Sequence, residues 1–165
     1  MVDIQTLQTI SIAIASAGVF AAAVYYILQI RHQTRIRQTD LVMRLYSAFT
    51  SEEFVKAGMI VGYLEYKDYN DFVERYGSPS ADKPVWVAIN MVGNFFNEVG
   101  ILLHRKVIHI EFVDELIGYR VAFFWEKLKP LMEGWRKQIN PQLARWFEYL
   151  YNEMKKREQR GVQNG

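Results

Sequence analysis

Three asparagines and a glutamate are the residues best placed to do chemistry. Asn90, Asn94 and Asn97 fall at i, i+4 and i+7 of an otherwise apolar run, Val85–Leu103, and Glu98 follows directly. On a helix this spacing brings three amides and a carboxylate to about one face. Amide side chains both donate and accept, so such a face suits a small polar ligand. Buried polar groups need partners, so a cationic neighbour is expected, with Arg44, Arg120 and Arg136 as unranked candidates. The ligand-binding set is therefore Asn90, Asn94, Asn97, Glu98 and Arg136. The competing explanation is structural: the same groups can tie the helix to its neighbours or form its wetter edge.

Other chemistry finds little support. His104 and His109 are five residues apart across a predicted helix end, which is not the i, i+4 spacing of helical zinc ligands, and His32 stands alone. No metal is expected. Glu111, Asp114 and Glu115 gather at a predicted helix start, where acidic side chains complement the helix dipole. There is no Gly-rich phosphate loop, no serine elbow and no HExxH, so no catalytic residue and no cofactor are assigned. The chain has no cysteine, which excludes disulfides and thiolate nucleophiles. A net charge of +2 is too mild for a nucleic-acid face. Trp86, Trp125, Trp135 and Trp146 sit in apolar helical patterns and read as core anchors, not a stacking platform.

What must position these residues is a domain tied to a membrane. Thr9–Leu28 is apolar and uncharged, long enough to cross a bilayer core, which takes about 20 helical residues. A cleavable signal would begin with basic residues, whereas Met1–Gln8 has none and holds Asp3. An uncleaved anchor is the reading. Arg31, Arg35 and Arg37 follow the span, so the N-terminus belongs outside and the remainder in the cytoplasm of a plasma membrane. Those arginines are also expected at the membrane surface, where each contributes about 1 kcal/mol against anionic headgroups. Ala13, Ala17 and Ala21 on one line, with Gly18 and Ala22 on the next, offer close span packing, although such residues are common in membrane helices.

The organisation that follows is an all-α protein: residues 1–30 the anchor, 31–40 a polar juxtamembrane stalk, 41–158 a cytosolic bundle of about five helices, and 159–165 a flexible tail. Leu41, Leu45 and Phe49 open the first core helix. Thr50-Ser-Glu-Glu53 has capping-box spacing and predicts a helix from about Ser51 through Leu64. A short helix from Asp68 or Asn70 stops at Gly77, and a loop reaches Pro84, which fits a first turn. Val85–Leu103 resembles a second span, but the asparagines and Glu98 make a buried central helix the better reading. Ile110–Leu128 is the next helix, with apolar Phe112, Val113, Leu116 and Phe123, broken or kinked by Pro130. Asn140-Pro141 caps and opens the last, with Leu143, Trp146, Phe147 and Leu150 inward and the stretch from Lys155 onward frayed.

Asn97-Glu98-Val-Gly100-Ile-Leu-Leu, Ile108-His-Ile-Glu-Phe-Val113, Trp125-Glu-Lys-Leu-Lys-Pro130, Arg136 and Phe147-Glu-Tyr-Leu150 together resemble domain of unknown function 4760. The resemblance covers nearly the whole chain and implies a prokaryotic protein with an N-terminal membrane helix and a small helical domain. It implies no activity. Where such proteins commonly carry Gly and Asp, this chain has His109 and Glu111, so no chemistry is carried over to those positions.

The function these features predict is a non-enzymatic interaction or assembly module at the inner membrane face. Its partners would be membrane lipids through the anchor and another protein or a second copy of itself. The alternative is a membrane-anchored small-ligand sensor or enzyme built around Asn94, Asn97 and Glu98. A third reading places Arg31, Arg35, Arg37 and the Lys155–Arg160 segment on lipid.

Overall fold

The computed structural model describes residues 3–80 and 82–163. Ala81 of the predicted loop, the first two residues of the predicted anchor and the last two of the predicted tail lie outside that range. Six helices and no strand occur among the described residues: α1 (Ile4–Phe49), α2 (Glu52–Gly62), α3 (Tyr69–Tyr76), α4 (Pro84–His104), α5 (Ile110–Gln138) and α6 (Arg145–Gln163). The chain divides into two compact units, Met1–Leu41 and Val42–Gly165.

The first unit is a helix. No interruption separates the apolar stretch from the arginines: α1 is a single helix of 46 residues running on into the second unit as far as Phe49. Along its apolar stretch the large side chains Ile10, Ile12, Ile14, Val19, Phe20, Ile27 and Leu28 are exposed. Thr9 and Ser11 turn their hydroxyls onto the carbonyls of Gln5 and Leu7, both at 2.9 Å, so neither leaves an unmet donor on that surface. The helix is a candidate membrane span by length and composition. The helix α4 passes the same test, but half of its apolar window is buried inside the protein.

The second unit is organised around α4. Trp86, Ala88, Ile89, Val92, Phe95, Phe96 and Val99 are buried along it. It packs against α2 and α6, while α5 covers α6, α3 and α2. Phe96 is the hub. Its ring lies 4.9 Å from Phe147 of α6, 5.6 Å from Phe124 of α5, 6.2 Å from Phe54 of α2 and 6.4 Å from Phe49 at the end of α1. At Gly100 a β-carbon would sit 2.0 Å from the carbonyl oxygen of Trp146, so only glycine lets α4 and α6 approach there.

Local signals fix most helix ends. Ser51 caps α2 by accepting from the Phe54 N–H at 3.2 Å. Asp68 caps α3 through the N–H groups of Asn70 and Asp71, and Gly77 ends it at φ 83°. Pro84 occupies the first turn of α4.

Three predicted ends move. Helix α5 does not stop before Pro130 but continues to Gln138. Proline supplies no N–H to the carbonyl of Glu126 and crowds that turn, yet Leu128, Leu131 and Met132 on either side of it are buried, and packing holds the helix together. The neighbouring Lys127 carbonyl accepts the Tyr66 hydroxyl at 2.5 Å. Helix α6 begins at Arg145, four residues beyond Pro141, because Ala144 has φ 52° and interrupts the helical backbone. Asn140 caps only the intervening turn, accepting from Gln142 N–H at 2.9 Å. At the other end α6 stays helical through Gln163 instead of fraying from Lys155. Arg157 pins it to α5 through Asp114 (2.8 Å) and Glu111 (3.1 Å).

Burial, and secondarily Tyr76, push the Tyr66 hydroxyl well above the ordinary tyrosine pKa of 10. The folded protein therefore keeps a proton that the unfolded chain releases near pH 10. Stability from this group is complete below pH 10 and declines as pH rises beyond it. Unfolding measured from pH 8 to 11.5 should show that decline. Tyr66→Phe should flatten it while costing about 1 kcal/mol at pH 8 from the lost hydrogen bond.

Candidate functional sites: an amide-lined cleft and an apolar groove

The predicted asparagines do come together on the surface. Asn90, Asn94 and Asn97 line a cleft of about 490 Å³ with Trp135, Gln142 and Trp146, where α4 faces the end of α5 and the turn before α6. Asn90 and Asn94 are exposed and Asn97 is half-buried. Asn97 holds two helices together. Its Oδ1 accepts the Trp146 N–H at 3.2 Å, so a side chain of α4 satisfies a backbone donor in the first turn of α6.

Glu98 is exposed and does not line the cleft. One step past Asn97 is a rotation of about 100° on a helix, which turns it away. Arg136 does not pair with it either. Its Nε donates to the carbonyl of Leu143, a cleft residue, at 2.8 Å, and its NH1 group reaches Glu148 at 2.7 Å. No charged or polar residue among those described is fully buried, so the face needs no cationic counterpart. Arg120 lies against the Tyr119 ring and hydroxyl, and Arg44 is exposed on α1. Trp135 Nε1 and the second terminal nitrogen of Arg136 are buried with no hydrogen-bond partner in the protein.

The remaining candidates separate. His104 packs on Trp146 (4.3 Å between rings) and Tyr149, whereas His109 stands at the start of α5. Arg31, Arg35 and Arg37 are exposed on α1. Arg31 and Arg35 share a face, while Arg37 projects from another side, so they ring the helix. In the Lys155–Arg160 segment, Lys155, Lys156 and Arg157 all reach carboxylates. Glu111 is held below the ordinary carboxylate range by its own backbone N–H first and by Arg157 after it.

A second surface went unread in the sequence. Phe112, Leu116, Tyr119 and Phe123 form one line on α5, at i, i+4, i+7 and i+11, and are 41, 38, 72 and 46% exposed. On α2 and its C-cap, Val55, Met59 and Tyr63 form another, at 43, 59 and 84%. The two helices enclose a groove of about 450 Å³ lined by Gly58, Met59, Gly62, Tyr63, Arg120 and Phe123 among others. The glycines leave it open: a β-carbon at Gly58 would meet Phe124 at 3.1 Å. The core uses a different stripe of α5, namely Val113, Ile117, Val121, Phe124 and Leu128. The signal available in the sequence was surplus, since α5 carries more large apolar residues than one buried stripe can hold.

The two halves of the amide face should respond differently to truncation. Asn97→Ala removes the cap on α6 and should lower unfolding free energy by about 1 kcal/mol. Asn94→Ala, exposed, should change it by less than about 0.5 kcal/mol. Denaturant titration of the two variants checks both values.

No curated protein and no solved structure matches this chain. A family model described as Domain of unknown function (DUF4760) matches residues 12–154, from within the apolar stretch of α1 to α6. With most of its length matched, the chain belongs to the DUF4760 family.

Proposed function

We propose that this is a single-span membrane protein without enzymatic activity, whose helical bundle docks a protein at the cytoplasmic face. The observation that carries the reading is the apolar face of α2 and α5. Val55, Met59, Tyr63 and Phe123 stand open in its groove, Tyr63 at 84% exposure, and Phe112, Leu116 and Tyr119 continue the exposed line along α5. Contiguous apolar surface of this kind on a folded domain marks an interaction site. The α6 side of the bundle offers a contrast, its Lys155, Lys156 and Arg157 being paired with carboxylates.

Extraction in mild detergent and native electrophoresis test the reading. The wild-type chain should migrate well above a monomer of 19.4 kDa in its detergent micelle. Met59→Glu with Phe123→Glu should reduce it to the monomer while leaving helical content unchanged. Migration of the wild type as a monomer, or of the variant as the wild type, overturns it.

The orientation rests on the ring of Arg31, Arg35 and Arg37, which favours the cytoplasmic side of the span. Because the chain lacks cysteine, single substitutions report position cleanly. Gln5→Cys should react with a membrane-impermeant maleimide on intact cells, and Asn152→Cys only after permeabilisation. The reverse pattern inverts the topology.

A second reading has its own observation. Asn90 and Asn94 line one cleft with Trp135, suiting a small polar ligand, although Glu98 falls outside it. If Asn94→Ala abolished a cellular phenotype at unchanged stability, the cleft rather than the groove would be the working site.

A further inference from the structure

We propose that the occupant of the α2–α5 face is a second copy of this chain, docked about a two-fold axis. The inference rests on the interaction reading above and names the partner. Size is the first argument. Val55, Met59, Tyr63 and Phe123 in the groove, with Phe112, Leu116 and Tyr119 continuing the line along α5, are 38–84% exposed and together offer on the order of 700 Å², close to the roughly 800 Å² that one partner of a standard interface buries.

Charge is the second. Arg120 lines the groove, and among the described residues no carboxylate lies within ion-pair distance of it. Glu52 shares the exposed line of α2 with Val55 and Met59, at i, i+3 and i+7. Among the described residues its ion pair is with Lys56, a largely exposed one, which contributes little and leaves the carboxylate available. A two-fold interface is self-complementary, so Arg120 meets Glu52 of the partner subunit and the reciprocal pair forms with it. The apolar lines meet their own copies without repulsion.

Symmetry and confinement add a third. Copies anchored in one membrane share an orientation. Confinement also raises their effective concentration, so an interface of modest size suffices.

The absence of native cysteine makes the test direct. Met59→Cys and Tyr119→Cys, each alone in the full chain in native membranes, should on mild oxidation give a covalent species of twice the 19.4 kDa monomer. Asn152→Cys on α6 should not. In the Met59→Cys background, Glu52→Arg should reduce the yield at least tenfold, and adding Arg120→Glu in the same chain should restore it. Equal crosslinking from Asn152→Cys, or no rescue by the paired reversal, overturns this interface.

A photoreactive residue at Tyr63 separates the remaining outcomes. If the cysteines fail and it yields an adduct of another mass, the second copy is wrong and the interaction reading survives. If it captures nothing, both fall.

Discussion

Phe96 sits at the middle of α4 with no exposure, and rings from α1, α2, α5 and α6 converge on it. A helix as apolar as α4 must be hidden on most of its circumference or lie in lipid. The aromatic cluster hides it with few residues, because each ring covers a large area and tolerates tilted or edge contacts. Phe49, Phe54, Phe124 and Phe147 are each the point where their own helix meets α4, so the helix positions follow from one buried side chain. Replacing any of these rings by a small residue would open a cavity shared by several elements.

The packing of α6 on α4 depends on backbone as much as on side chains. Gly100 admits the Trp146 carbonyl, and Asn97 one turn earlier receives the Trp146 N–H. Arg136 then ties down the turn before α6 through the Leu143 carbonyl and reaches Glu148 within the helix. The amide-lined cleft is what remains beside this joint. Its half-buried amide therefore serves the fold, while its two other amides, Asn90 and Asn94, are exposed. A residue can be polar and positioned on a functional-looking face because another helix needs its cap.

The bundle is unequal around its surface. On the α5–α6 side, cations and carboxylates alternate in pairs at 2.7–3.9 Å, a solvated surface in which each exposed pair contributes little. On the α2–α5 side, aromatic and aliphatic side chains stand open with a single guanidinium among them. Leaving them exposed forgoes the stabilisation that burial would give, roughly 25 cal/mol per Å². Such a face is expected where association, not folding, completes the burial.

The helical class, the apolar span and most helix starts were legible in the sequence because their causes are local. Ser51, Asp68, Gly77 and Pro84 act on backbone groups within a turn of themselves, and Thr9–Leu28 declares itself by composition. The i, i+4, i+7 spacing also put Asn90, Asn94 and Asn97 on one face correctly, while Glu98 fell outside it by one step of helical rotation. Three things needed the tertiary structure. Pro130 stays inside α5 because buried neighbours on both sides outweigh one lost hydrogen bond. Helix α6 waits until Arg145 because Ala144 interrupts the backbone at φ 52°, and its first turn is then met by Asn97, 49 residues from Trp146, which no local pattern contains. The split of apolar residues in α5 between core and groove was the last. Periodicity counts apolar side chains on a helix, but which of two adjacent stripes is buried is decided only by the helices that pack against it.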